Sequence, residues 1–176
     1  MTNPTAAMLV IGDEILSGRT RDSNMHHLAQ ELTKRGIDLQ EVRVVSDDRA
    51  AIVAAVKALS DAYDHVFTSG GIGPTHDDIT AEAVANALDT TAPQRADVLK
   101  LLGDSYAERG IEFTEARRRM ARVPEGAALI DNPISMAPGF TLGNVHVMAG
   151  VPNVFEAMVA GVLSRIAGGA PLLSQN

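Results

Sequence analysis

The feature that narrows this chain most is an alternation of short strand-like and helix-like segments across its first half. Ala6–Ile11 is an uninterrupted apolar run, short enough for a strand buried on both faces. Met25, Leu28, Ala29 and Leu32 then recur at i, i+3, i+4 and i+7, and Arg35-Gly36 puts a glycine where helices commonly stop. Residues 37–45 alternate polar and apolar, Ile52, Val53, Val56 and Leu59 mark another helix, and residues 64–68 a third strand. Strand and helix alternating at this spacing predict an α/β fold with a mostly parallel sheet and right-handed crossovers.

The second half continues with helices over residues 81–88 and 98–106 and a short basic helix over 115–122. Strand candidates follow at 127–130, 139–142 and 145–148, the last two joined at Gly143-Asn144 as a hairpin. Pro152 opens a final helix whose apolar stripe runs from Val154 to Ile166. The expected organisation is one domain over residues 1–176, with its core at about 6–166 and a flexible tail at about 168–176.

Each of the first three strands runs into a pair of carboxylates: Asp13-Glu14, Asp47-Asp48 and Asp77-Asp78. In a parallel sheet the carboxyl ends lie along one edge, where ligands of α/β proteins bind. The third pair belongs to Thr68-Ser69-Gly70-Gly71-Ile72-Gly73-Pro74-Thr75-His76-Asp77-Asp78-Ile79-Thr80. This stretch lacks the Gly-Lys-Ser/Thr ending of a P-loop, and His76 stands where the dinucleotide fingerprint needs its third glycine. It reads either as a tight turn that needs positive φ or as a backbone cradle for an anion before a helix N-terminus. Carboxylates beside a phosphate repel it unless a cation intervenes, and Mg²⁺ held by one or two carboxylates plus substrate phosphates suits that chemistry.

Composition removes several alternatives. With no cysteine, thiolate metal sites, disulfides and cysteine nucleophiles are out. A net charge of −7 argues against nucleic acid as a partner. No apolar run approaches the roughly 20 residues of a membrane span, and residues 1–5 lack the pattern of a signal peptide. A cytoplasmic protein with no membrane partner is the expectation. Ser17, Ser69 and Ser135 lack a Gly-x-Ser-x-Gly context, and Arg117, Arg118, Arg119 and Arg122 read as a solvated or subunit-contacting face.

Taken in order, Gly12-Asp13-Glu14-Ile15-Leu16-Ser17-Gly18, Asp22-Ser23-Asn24, Ser46-Asp47-Asp48 and residues 69–80 resemble the molybdopterin-binding domain superfamily of molybdenum-cofactor biosynthesis. Pro124-Glu125-Gly126-Ala127, Ala137-Pro138-Gly139-Phe140 and Gly150-Val151-Pro152 make the N-terminal domain of the competence/damage-inducible protein A subgroup the nearest resemblance. Ala149 departs from that subgroup, which usually has proline there. No counterpart of its C-terminal nicotinamide-mononucleotide amidase domain is present, so that activity is not expected.

The resemblance implies a three-layer α/β/α fold, with Asp47 and Asp78 at positions that matter for catalysis in molybdopterin adenylyltransferases. The resulting expectation is a small-molecule phosphate ligand, a molybdopterin or an adenine nucleotide, bound with Mg²⁺. Ser69, Gly70, Gly71, Gly73 and Thr75 would bind the anion, Asp47 and Asp78 would hold metal or orient the nucleophile, and Asp13, Glu14 and Asp77 would support them. The reaction would be adenylyl transfer to molybdopterin or hydrolysis of ADP-ribose. The alternative is a non-catalytic pterin- or nucleotide-binding protein, and in either case a homo-oligomer is implied.

Overall fold

A computed structural model describes residues 2–171 of the chain. The chain runs through β1 (Thr5–Ile11), α1 (Asp13–Leu16), α2 (Asn24–Lys34), β2 (Asp38–Val45), α3 (Arg49–Ala62), β3 (His65–Ser69), α4 (Thr80–Ala87) and α5 (Ala96–Glu108). It continues through α6 (Glu115–Arg118), a 3-10 turn (Arg119–Ala121), β4 (Ala128–Ile130), β5 (Gly139–Leu142), β6 (Val145–Met148) and α7 (Pro152–Leu163). The strands form one sheet in the order β2-β1-β3-β6-β5-β4. The pairs β1–β2, β1–β3 and β3–β6 are parallel, while β5 pairs antiparallel with both β4 and β6.

Period-two alternation divides β1 between two cores. Ala7, Leu9 and Ile11 pack with Ile52, Val56, Leu59, Val84 and Leu102 from α3, α4 and α5. Ala6, Met8 and Val10 pack with Leu28, Leu32, Phe155 and Met158 from α2 and α7. The expected three-layer α/β/α arrangement with a mostly parallel sheet is therefore present. Among the described residues no helix is long and apolar enough to cross a membrane.

The helix ends follow local chemistry. Both oxygens of Asp22 accept backbone N–H groups at the start of α2, from Asn24 at 3.3 Å and Met25 at 3.0 Å. Asp48 caps α3 by accepting from the Ala51 N–H at 2.9 Å. Gly36, at φ +67, closes α2 as expected.

Three segments differ from the periodic reading. α1 is a single turn, too short to leave a periodic trace, set by Gly12 N–H bonding to the Val45 carbonyl at 3.1 Å. The basic segment is split into α6 and the 3-10 turn. α7 ends at Leu163 rather than Ile166, because the chain turns to bring Gly169 N–H onto the Arg35 and Gly36 carbonyls, at 3.0 and 3.1 Å. Asn3 and Ala170 also exchange hydrogen bonds, so the start of the segment read as a tail is tied down; residues 172–176 lie outside the described residues.

The Gly-rich stretch leaves β3 through two left-handed glycines, Gly70 (φ +98) and Gly71 (φ +76). Thr80, fully buried, fastens it by donating its hydroxyl to the Gly70 carbonyl and its N–H to the Gly71 carbonyl, each at 3.0 Å. A Cβ on Gly71 would overlap Thr80 Oγ1, whereas one on Gly143 (φ +58), at the hairpin tip, would meet nothing within 4 Å. Gly143→Ala should therefore cost about 1 kcal/mol for the left-handed backbone alone, and Gly71→Ala clearly more. Urea midpoints of the two variants test this, and equal losses would show that Thr80 does not constrain the loop.

At the opposite end of the strands, His65 Nδ1 lies 3.1 Å from His146 Nε2, and His146 Nδ1 lies 2.9 Å from Thr141 Oγ1. Burial, then the neighbouring His65, holds His146 down to about 4. Between about pH 6.5 and that value the unfolded chain binds the extra proton. Stability is then expected to fall as pH is lowered through this window, with a slope approaching roughly 1.4 kcal/mol per pH unit. Denaturation at pH 7 and pH 4.5, compared with His146→Asn, isolates the contribution; an identical pH dependence in the variant would refute it.

Candidate functional site

β1 sits between β2 and β3, so the chain moves to one side of it and then to the other, and a crevice opens above the carboxyl ends at such a reversal. A cavity of about 530 Å³ occupies this place, a size that suits a small-molecule ligand. Its floor comes from the ends of β1 (Val10, Ile11), β3 (Ser69, Gly70, Gly71) and the turn after β6 (Ala149, Gly150). Ile15, Ile72, Met120, Val151 and Val154 give apolar walls, and Thr20, Ser23, Asn24, Asn132 and Ser135 add polar groups.

The Gly-rich loop supplies N–H donors, though fewer than its sequence suggests. Gly70 N–H is spent on the Met148 carbonyl at 3.1 Å. Thr75 gives both its N–H and its hydroxyl to Asp78 Oδ2, each at 2.8 Å. Gly71, Ile72 and Gly73 keep their N–H groups free of partners among the described residues, and all three line the cavity. Successive N–H groups in such a turn form a concavity suited to an anion. The start of α7 lines the same cavity through Val151, Pro152 and Val154 and carries no capping side chain, so a partial positive charge lies at its border.

The carboxylates separate into two groups. Glu14 and Asp78 line the cavity. Asp13 and Asp47 do not; each accepts the other's backbone N–H at 3.1 Å and so staples the end of β1 to the end of β2. The reason is topological: β2 is the edge strand, and the cavity lies over β1, β3 and β6. Asp47 is still within the field of its neighbours. Burial pushes its carboxyl up, and the charges of Asp13, Glu14 and Asp77 push the same way, against the Asp13 N–H bond. Asp77 and Thr75 also lie outside the lining; exposed Asp77 pairs with exposed His76 at 3.1 Å.

Among the described residues no three Asp, Glu or His side chains converge as a ready-made metal site. A divalent ion here would be held by one or two carboxylates and by the phosphates of its ligand, as Mg²⁺ commonly is. Asp78 and Glu14 in the wall, with Asp47 alongside, fit that partial donor set.

Sequence reasoning missed two parts of the site. Asn24 is 4% exposed, donates to the Gly150 carbonyl at 2.9 Å, and leaves Oδ1 without a partner. It thereby ties the start of α2 to the turn before α7. Asn132 organises the loop 132–137, bonding the N–H groups of Ile134 and Ser135, the Ser135 hydroxyl and the Ala137 carbonyl. The motifs Asp22-Ser23-Asn24 and Gly150-Val151-Pro152 were visible in the sequence, but nothing there set them against each other. The arginine segment is also closer than expected. Arg119, Met120 and Arg122 border a small crevice that Gly71, Gly73 and Asp78 of the Gly-rich loop also line.

Comparison with known proteins agrees with this architecture. Residues 7–168 match the family described as "Probable molybdopterin binding domain". A protein of Metallosphaera sedula is 36% identical over 167 residues, covering 92% of this chain and 63% of its own length. One of Pyrobaculum calidifontis is 38% identical over 167 residues, covering 93% and 64% respectively. The chain thus spans a little under two thirds of the length of these relatives. The crystal structure of CinA from Thermoplasma acidophilum, described as of unknown function, superposes with a TM-score of 0.85 at 32% identity, covering 93% of this chain and 99% of that one. The tungsten cofactor synthesizing protein MoaB of Pyrococcus furiosus shares the fold, with a TM-score of 0.59 at 20% identity and coverage of 94% and 93%. This chain belongs to the probable molybdopterin-binding domain family.

Proposed function

We propose that the cavity binds a phosphate-bearing pterin or adenine nucleotide together with Mg²⁺, and that the chain acts on the phosphoanhydride of that ligand. The observation that carries this reading is the set of N–H groups on Gly71, Ile72 and Gly73, without partners among the described residues, in the lining of a largely apolar hollow that the uncapped start of α7 also lines. A phosphate suits the first part and a flat heterocycle the second. The names of related folds, molybdopterin and tungsten-cofactor proteins, support a pterin.

In this reading the loop backbone and Ser69 seat the phosphoryl oxygens, while Thr75, bonded to Asp78, fixes the carboxylate that faces them. Asp78 and Glu14 would hold Mg²⁺ against the ligand, with Asp47 as a further carboxylate beside them; the ion would neutralise charge on the phosphoryl oxygens. Asp13 and Asp77 support the rim. Adenylyl transfer to molybdopterin and hydrolysis of ADP-ribose both fit, since each needs an in-line nucleophile and charge compensation at phosphorus. A binding role without turnover is the competing reading. It is favoured by the carboxylates already engaged in bracing, Asp78 on Thr75 and Asp13 with Asp47.

Asp78→Asn keeps the shape that bonds Thr75 but removes the charge. Turnover of ADP-ribose, or adenylyl transfer to molybdopterin, should fall by roughly a hundredfold or more. Unchanged turnover together with unchanged Mg²⁺-dependent binding would overturn the assignment. Ligand-induced heat stabilisation should likewise be larger with Mg²⁺ than with EDTA, since only native-state binding raises the melting temperature. Stabilisation independent of Mg²⁺, with no turnover of either substrate, would favour the binding role.

A further inference from the structure

Strand β2 is the edge of the sheet beside β1, and among the described residues no strand pairs with its outer side. An open edge offers a row of N–H and C=O groups to any second strand, and proteins commonly blunt it with lysine, proline or a bulge. β2 (Asp38–Val45) contains neither lysine nor proline. Its one irregularity is an extra residue, Gln40: Leu39 pairs with Ala6 and Glu41 with Ala7, after which residues 41–45 run in step with residues 7–11.

The two faces of this edge carry different chemistry. Val42 and Val44 pair with Met8 and Val10, so they stand on the face that α2 and α7 cover, yet they are 38% and 39% exposed. On the opposite face, Glu41 and Arg43 pair with Ala7 and Leu9. Their side chains form an ion pair at 2.9 Å, and Glu41 also accepts the Tyr63 hydroxyl at 2.8 Å. One negative and one positive charge are thus held next to each other along the edge, with apolar surface on the other face. Such a strand is complementary to a reversed copy of itself.

We propose that a second copy of this chain adds its own β2 antiparallel to this edge, across a two-fold axis at Val42, so that the sheet continues from one molecule into the other. Charge selects the register. Directly opposed residues of antiparallel strands share a face, so the axis must pass through a residue. An axis at Glu41 sets two Glu41 carboxylates against each other, one at Arg43 sets two guanidinium groups together, and one at Val44 sets Glu41 against Asp47 of the second copy. An axis at Val42 sets Glu41 opposite Arg43 of the second copy, twice by symmetry, and Val42 opposite its own counterpart. Opposite charges across a strand pair are favourable and like charges are not. The bulged residue Gln40 falls at the end of the paired stretch, opposite Val44 of the second copy. The contact is isologous and therefore closes at two copies. It is independent of the phosphate-binding reading, because the cavity lies over β1, β3 and β6 and not over this edge.

The test is sedimentation equilibrium of the whole chain between about 1 μM and 1 mM, for the wild type, Glu41→Arg, Arg43→Glu and the double variant carrying both changes. Each single change places like charges opposite each other and should weaken association about tenfold or more; the double variant should return to within about threefold of wild type. Arg43→Glu leaves the Tyr63–Glu41 bond in place, so it stands alone should Glu41→Arg fail to fold, which circular dichroism checks. The register has its own readout. The chain has no cysteine, so a single introduced one reports only its own contact. Val42→Cys should give a disulfide-linked dimer on mild oxidation, because opposed strand residues have Cα atoms about 4.5–5.5 Å apart, within reach of a disulfide. Val44→Cys, about as exposed in the wild-type fold, should not, since its counterpart lies four residues out of step, roughly 13 Å along the strand. A wild type that stays monomeric throughout, a double variant no tighter than the single ones, or Val44→Cys crosslinking as readily as Val42→Cys would each overturn the proposal.

Discussion

Strand β1 is paired on both edges and covered on both faces, and everything at the site is placed relative to it. Residues 6–11 are at most 2% exposed, which requires helices on either side of the sheet and parallel neighbours at either edge. The neighbours are β2 on one side and β3 on the other, so the chain reverses direction across the sheet at β1. The loops that leave β1 and β3 diverge there, and the space between them is the cavity. Had β2 and β3 fallen on the same side, the Gly-rich loop and the α1 segment would not have faced each other.

A second layer of constraint keeps the space open. Thr80 binds the carbonyls of Gly70 and Gly71, Met148 takes the Gly70 N–H, and a Cβ on Gly150 would stand 3.3 Å from Gly70 Cα. Asn24 ties the start of α2 to the Gly150 turn, and Asn132 holds the shape of the 132–137 loop, part of which lines the same cavity. These bonds consume polar groups near the strand ends and leave the N–H groups of Gly71, Ile72 and Gly73, which line the cavity, without partners among the described residues. A phosphate-sized anion gains most where donors are already fixed and cost no reorganisation.

Much of this was legible in the residues. The apolar run at 6–11, the helical spacing of Leu28 and Leu32 and the glycine at 36 locate elements through local periodicity and backbone preference alone. The Gly143-Asn144 hairpin was legible too, from a turn pair weaker than Asn-Gly. The Gly-rich loop and the acidic strand ends were recognisable as lying along one edge of the sheet, because parallel strands bring their carboxyl ends together. The single turn α1 was not legible, being shorter than any period. Nor could the residues say which carboxylates share a cavity: Asp13-Glu14 are adjacent, yet Glu14 lines it and Asp13 braces Asp47.

What the chain determined by itself is therefore most of the elements and the parallel pairing of the first three strands, since these depend on short-range pattern and residue type. Tertiary structure alone decided the roles. It placed β2 at the edge, which moved Asp47 from the cavity to its rim, and it spent Gly70 N–H and Thr75 on internal bonds. It also brought Asn24 around one loop with Arg119 and Asn132, which lie about a hundred residues further along the chain. The physical reason is that hydrogen-bond partners and strand order are set by which surfaces the two cores bury against each other, and that choice is made over the whole chain at once.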